Sequence, residues 1–375
     1  KGINHQEKKI TISSDKDINK ILFENMITKK IINQEHVYLN KISNFKNKNL
    51  NSLISSLEFN KINFELINKN LLIKSGDYYV SKNIISPIGI DVIIEKGTKF
   101  LLSKNVSILF QGNLSAKGTK NKSIIVESQK KTEPFGTFAI VGKNSKVKTN
   151  LNYFYIKGGS EDNLEGMTFL GQLSIHNSNV EIENSKIEYS SSDDGANIRN
   201  SNIEISNTIF SFNKYDQLDL DFCNGNLTNN IFESLPIKSN DITGGDGLDL
   251  SGSNVFVSKN RILDLSDKGI SVGEKTNAII QENIFMKNNI AIAIKDESKI
   301  FQFNNEFFNN NLIFSMYVKK PFFKEPILYL DETNKSIKFN NKDYKINQGK
   351  ILFLNENSKS NFYKTLKNAI TSSRI

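Results

Sequence analysis

The sequence predicts an all-β solenoid, a single-stranded parallel β-helix, on three observations. The apolar set is Ile, Leu and Phe with only 4 Met and 5 Pro, set among Asn, Ser and Lys, a mix that favours strands and turns. A phrase of Asn followed at the second or third position by a bulky apolar residue recurs at Asn184, Asn207, Asn230, Asn260, Asn283 and Asn305, at spacings of 23, 23, 30, 23 and 22 residues. Stretches such as GGDGLDLSGSN (244–254) and DKGISVGEKTN (267–277) alternate apolar with polar residues, the period of a strand with one buried face. A unit of about 23 residues with three short strands stacks as one coil per repeat. A leucine-rich repeat is excluded because its LxxLxL phrase and helical half are missing.

Along the chain, residues 1–75 form a helical N-terminal region or the tail of an upstream domain. Within it INKILFENMITKKI and LNSLISSLEF carry apolar residues at three- and four-residue steps, so two or three short helices are expected, placed to cap the open end of the stack. Residues 76–320 are the β-helix, with 87–128 as its first coils. The 30-residue interval holds SLPIKSNDIT, a loop-like insertion. The Asn side chains are expected to stack at one corner, Asn207, Asn230, Asn260 and Asn283 among them, with Leu220, Leu250, Val272 and Ile294 as an inward column. Residues 321–375 form a small C-terminal appendage: ILYLDETNKSIKFNNKDYKINQGKILFL alternates as strands, and NFYKTLKNAI is one amphipathic helix.

The formal net charge is +9 over 375 residues. The lysines are dispersed and not gathered in a stripe, which argues against nucleic acid and suits an anionic glycan or another acidic surface. One cysteine, Cys223, excludes a disulfide framework, and no run is long and apolar enough to cross a bilayer. A chain opening on Lys1 is expected to have lost a leader or a larger upstream region. Sequences for zinc, phosphate-loop, dinucleotide and nucleophile-elbow sites do not occur.

Aligning the coils puts three rows on the outward face of one sheet. The first is Ser174, Asn197, Asp219, Asp249, Ser271 and Ala293; the second is His176, Arg199, Asp221, Ser251, Gly273 and Lys295. Asp194, Asp216, Asp246 and Lys268 form a third at the entering turn, with Glu274 and Asp296 just past the strand. Carboxylates one coil apart raise one another's pKa, so Asp219, Asp221, Asp246 and Asp249 are expected within about 10 Å on one face, a surface for a cation or for basic groups. Arg199 and Lys268 are its internal counter-charges. A hard cation such as Ca²⁺ finds oxygen donors in Asp219, Asp221, Asp249 and Asp246. GGDGLDL also matches the nonapeptide Ca²⁺ turn, but once only, whereas that turn needs tandem copies.

From about Ile84 to Lys320 the chain resembles the right-handed parallel β-helix repeat proteins of the pectate-lyase-like superfamily. The phrases GDGLDLSGS, DKGISVGE, IAIAIKDES and YVKKPFF are similar to a bacterial subgroup sometimes found beside CotH-type kinase regions. The resemblance implies a right-handed helix and a secreted, periplasmic or cell-surface protein that binds polysaccharide, anionic polysaccharide included, and cleaves or epimerises it. A non-catalytic adhesin or spacer on the same fold is the alternative. The epimerase phrase YGxDPH and the polygalacturonase series NxD, DD and GHG are absent.

Two chemistries suit the face. His176 with Arg199 and a carboxylate are the parts for proton abstraction beside a uronate carboxyl group. Asp219 or Asp221 with Asp249 are the acid and base of glycoside hydrolysis. Asn197, Tyr215, Asp246, Lys268, Glu274 and Lys295 line the same face as substrate contacts. Without Trp, sugar stacking falls to Tyr189, Tyr215 and Phe222.

Overall fold

The computed structural model describes residues 23–24, 31–32, 50–142, 148–234, 244–331 and 343–372. Alternation at one strand per side folds the chain into a triangular spiral of three sheets with 13, 11 and 10 strands. Each turn of the spiral visits the three in order, as in Asp216–Asp221, Asn224–Thr228 and Ile231–Glu233. Pairing between coils is parallel throughout, apart from a hairpin of Phe64–Ile67 with Asn70–Ile73 at the first edge of the 13-stranded sheet. The fold is an all-β parallel β-helix.

The core is built of inward columns. Leu220, Leu250, Val272 and Ile294 lie in register, one above the next, and are fully buried. Phe210 stacks on Phe232 with centroids 5.1 Å apart, and Phe285 on Phe307 at 5.1 Å, so even bulky residues repeat their pose one coil higher. Burying an identical column in every coil removes about 25 cal/mol of unfavourable hydration per Å² of apolar surface.

The asparagine ladder forms with its lower end one residue further along the chain. Asn230, Asn260, Asn283 and Asn305 stack, the Oδ1 of each of the last three accepting the backbone N–H and the Nδ2 of the Asn below at 2.8–3.0 Å. In the lower coils Thr208 and Ser185 hold that place through their hydroxyls. Asn207, expected in the ladder, instead takes the left-handed turn position before it, with φ +50, as do Asn184 and Asn229. Asn tolerates that conformation, so the same residue type serves two adjacent turn positions and blurs the register by one. A second ladder at the opposite corner, Asn288 on Asn310 at 2.9–3.0 Å, escaped the sequence.

At the N-terminal end the helix Leu50–Phe59 forms as expected, and its Leu53 and Leu57 are fully buried in the core. The other expected helix does not: Phe23–Glu24 pairs antiparallel with Ile31–Ile32. Phe, Ile and Ile are strand formers, and three-residue apolar steps do not separate a helix from the ends of a hairpin. The rest of INKILFENMITKKI, and all but the first residue of SLPIKSNDIT, lie outside the described residues. The first coils follow as predicted, for example in Asp91–Ile94, Lys99–Leu102 and Ile108–Phe110. Beyond residue 320, Ile327–Asp331 and Lys350–Leu354 extend the 13-stranded sheet in parallel, and the helix Glu356–Ser372 packs against its outer face.

Candidate functional site

The outward face of the 11-stranded sheet carries the acids. Its central row is in the expected register: Ser174, Asn197, Asp219, Asp249, Ser271 and Ala293. His176, Arg199 and Asp221 occupy consecutive strands of the next row. Further down the stack the central row becomes Ile85, Leu109 and Ala139, covered by the hairpin Asp162–Leu164 with Met167–Phe169. That hairpin walls the acid face on one side. On the other, Lys319 and Lys320 donate their backbone N–H groups to Asp296 Oδ1 at 2.6 and 2.9 Å, fixing the segment after Tyr317.

Carboxylates converge because the entering turn and the strand each deliver one per coil. Asp216, Asp246 and Asp249 bring oxygens within 4.8 Å of one another. Asp216 Oδ1 accepts the Asp246 N–H at 2.6 Å, and Asp246 Oδ1 accepts both the N–H of Lys268 at 3.0 Å and its Nζ at 3.2 Å. Burial, with Asp246 beside it, pushes Asp216 up to about 8. Burial also pushes Asp246 up to about 6, the Lys268 ammonium holding it lower than it would otherwise stand. Asp219 rises well above the carboxylate range for the same first reason, with Asp221 and Asp249 adding repulsion. Burial pulls the Lys268 ammonium down, yet the carboxylates of Asp246 and Asp267 outweigh it and keep that pKa raised.

Several polar atoms on this face are buried with no hydrogen-bond partner: His176 Nε2, Asp194 Oδ2, Asn197 Oδ1, Asp249 Oδ1 and Ser271 Oγ. Asp194 is 3 % exposed, and Asn197 and Ser271 are fully buried. Buried polar atoms are satisfied in the great majority of cases, so these orphans in neighbouring coils set this face apart from the rest of the surface. His176 lies against Phe169, ring centroids 5.1 Å apart. Burial, and then Arg199, push its pKa down to about 4, so the imidazole is neutral at physiological pH.

The sequence-derived residues divide into those brought together and those held apart. Asp246 and Asp249 join the triad, with Lys295 Nζ 3.9 Å from Asp249. Asp219 accepts a hydrogen bond from Asn197 at 2.9 Å, and Asp221 is held by Arg199 Nε at 2.7 Å. Glu274 is paired with Lys320. Tyr215 is partly exposed at the entering turn, under the Lys214 ammonium. The carboxylates that meet are Asp216, Asp246 and Asp249; of the expected donors Asp219, Asp221, Asp249 and Asp246, the last two belong to this cluster, while Asn197 bonds Asp219 and Arg199 bonds Asp221. Asp216 and Asp194 complete the site, and their signal in the sequence was membership of the same row as Asp246. The donor set, all carboxylate oxygen with unpartnered Asp249 Oδ1 and Ser271 Oγ adjoining, is compatible with Ca²⁺.

The sequence model of the right handed beta helix region matches residues 172–343. The chain is a parallel β-helix protein, and its residues 172–343 match the right-handed class of that fold. Solved structures similar to this β-helix protein include an alginate lyase from Paenibacillus sp. str. FPU-7, at 12 % identity and a TM-score of 0.36, covering 70 % of this chain and 92 % of that one. A double mutant of the periplasmic alginate epimerase AlgG aligns at 9 % identity and a TM-score of 0.42, covering 77 % and 78 %. The enzymatically active domain of bacteriophage CBA120 tailspike protein 2 aligns at 13 % identity and a TM-score of 0.36, covering 74 % of this chain and 47 % of that one. No curated protein matches the β-helix protein by sequence. Among the described residues no helix is long and apolar enough to cross a membrane.

Proposed function

We propose that this β-helix protein cleaves polysaccharide on the acid face as a glycoside hydrolase, with Asp216 as general acid and Asp249 as the partner carboxylate. The observation that carries it is the Asp216, Asp246 and Asp249 triad, whose oxygens lie within 4.8 Å while burial pushes Asp216 up to about 8. At neutral pH Asp216 holds a proton that it can deliver to a leaving glycosidic oxygen. Asp249 keeps one oxygen free of hydrogen bonds, with the Lys295 Nζ 3.9 Å from it. The two carboxyl groups are close enough for Asp249 to act directly as the nucleophile, which favours retention at the anomeric carbon. Asp194, Asn197 and Ser271 are the groups to bond sugar hydroxyls.

Proton abstraction from a uronate is supported less well. Arg199 is committed to Asp221 at 2.7 Å, and an anionic sugar would meet a concentrated negative field at the acids. A second reading has one specific support, the oxygen triad itself: Ca²⁺ held by Asp216, Asp246 and Asp249 would neutralise the cluster and attract a substrate carboxylate. Lys268, 3.2 Å from Asp246, competes with such an ion. A polysaccharide substrate sets the protein's work outside the cytoplasm, in the periplasm, at the cell surface or in the medium.

The deciding experiment is reducing-end release from a panel of neutral and mixed polysaccharides, with Asp216→Asn and Asp249→Asn beside the parent. Each substitution should lower turnover by about 10²- to 10⁴-fold with the fold intact. Undiminished turnover in both variants removes Asp216 and Asp249 as the catalytic pair, and release from no polymer removes the hydrolase and leaves the adhesin or spacer. Unsaturated products that need added Ca²⁺ would instead establish the second reading.

A further inference from the structure

A second, oppositely charged feature lies past the exit of the same sheet. The segment after Tyr317 and the last coils enclose a groove of about 870 Å³. Lys299, Lys319, Lys324 and Lys350 line it, and among the described residues none of the four has an ion-pair partner. Of the two acids there, Glu297 is already matched by Lys275 at 3.8 Å, which leaves Glu325 against four ammonium groups. Lys299 and Lys350 each align with Ile327 from opposite sides, so they stand two strands apart, about 10 Å. Phe323, 6 % exposed, forms an apolar wall, and Phe322 lies tilted against it, centroids 4.6 Å apart, with its own ring open to solvent.

Unpaired cations in one groove repel each other unless an anion sits among them. Aromatic rings beside them suit the apolar face of a sugar. The groove is also tied to the acid face: Asp296, which follows Lys295, holds the backbone of Lys319 and Lys320, and Lys320 reaches back to Glu274. A ligand spanning both regions must therefore be neutral over the carboxylates and negative over the lysines. Nucleic acid fits poorly, since its charge is uniform and its sites track many successive phosphates.

We propose that this groove anchors the acidic sugars of a mixed polysaccharide whose neutral sugars lie over the Asp216, Asp246 and Asp249 triad, an assignment that rests on the hydrolase reading for its second half. The groove confers affinity and register, and the triad does the chemistry. A polymer of acidic sugars alone cannot satisfy both surfaces.

The test is affinity electrophoresis of the full chain in gels containing hyaluronan (alternating acidic and neutral sugars), polygalacturonate (acidic throughout), dextran (neutral) or poly(U). A groove variant carries Lys299→Ser, Lys319→Ser, Lys324→Ser and Lys350→Ser. A control removes the same charge elsewhere, with Lys104→Ser, Lys117→Ser, Lys120→Ser and Lys131→Ser, all exposed. Hyaluronan should bind more tightly than dextran, lose about tenfold in affinity in the groove variant, and weaken steeply as salt rises from about 0.05 to about 0.5 M. The control should stay within about twofold of the parent. Equal weakening in both variants, lysine-dependent binding of poly(U) as tight as that of hyaluronan, or polygalacturonate bound and cut as well as the mixed polymer, overturns the proposal. Lysine-dependent hyaluronan binding without cleavage of any polymer supports the groove and removes the hydrolase. Cleavage unaffected by the groove variant supports the hydrolase and removes the groove.

Discussion

The outward faces of the 13-stranded and 11-stranded sheets are built to the same strand period and have opposite fates. On the 13-stranded sheet the outward row reads Asn150, Glu181, Glu204 and Asn226, then Phe256, Ile279, Phe301 and Tyr329. Its polar half closes on itself: Asn150 donates to Glu181 at 2.9 Å and Asn226 to Glu204 at 2.8 and 3.0 Å. Its apolar half is covered by the C-terminal helix through Phe362, Tyr363 and Leu366. On the 11-stranded sheet the apolar half, Ile85, Leu109 and Ala139, is likewise covered, by a hairpin. The polar half there is left open, with buried oxygens of Asp194, Asn197, Asp249 and Ser271 unpartnered. One face closes on its own side chains; the other keeps buried oxygens without partners.

Four changes test that contrast, taken from the largest expected effect down. Leu250→Asp puts a charge into the inward column shared by both faces and should unfold the middle coils, since an unpaired buried charge costs several kcal/mol, comparable to the stability of a domain. Far-UV circular dichroism of the soluble protein would show it; a native spectrum and melting temperature would be incompatible with the buried column. Asn260→Ala should cost about 3 kcal/mol, because it strands the Asn230 N–H and the Leu227 carbonyl in the corner. Denaturant titration measures it, and a neutral result would show that the ladder does not support the stack.

Leu366→Asp should detach the C-terminal helix from Ile279 and Phe301 and leave the coils folded, at a cost of about 2–4 kcal/mol confined to that face. Hydrogen exchange should then rise in residues 356–372 with the acid face unchanged. The fourth test is a pH slope. Asp216 and Asp246 have folded-state pKa values near 8 and 6, above the unfolded value near 4, so the folded state binds more protons than the unfolded. Their contribution to stability is complete below about pH 4 and is lost as pH rises towards 8. The melting temperature should accordingly fall from pH 5 to pH 8 and fall less in Asp216→Asn. A slope identical in the two proteins would mean that Asp216 is an ordinary solvated carboxylate.

The apolar half of the 13-stranded row had a signal in the sequence that the acid rows did not need. Outward positions that turn from Glu and Asn to Phe, Ile and Tyr announce a covering element, and NFYKTLKNAI was the one amphipathic segment left to supply it. The first-coil hairpin over Ile85, Leu109 and Ala139 gave no comparable warning. Its strands are three residues each, Asp162–Leu164 and Met167–Phe169, too short for a period to show.

The residues alone determined the solenoid, its period, the inward column and the three outward rows, because a parallel stack repeats each residue's environment one coil later and so writes its geometry into sequence spacing. They also gathered the right acids on one face. Which oxygens meet was decided only by the tertiary structure. Asp216, Asp219 and Asp221 lie on one strand, but Asp221 is held by Arg199 and Asp219 by Asn197, whereas Asp216 meets Asp246 and Asp249. Depth of burial, which pushes Asp216 to about 8 and leaves Asn197 without solvent, is likewise set in three dimensions, and elements outside the repeat, the Phe169 hairpin and the segment after Tyr317, pack on Ala139 and bond Asp296 of the same sheet's coils. A periodic sequence can specify a row; what surrounds that row comes from the residues that break the period.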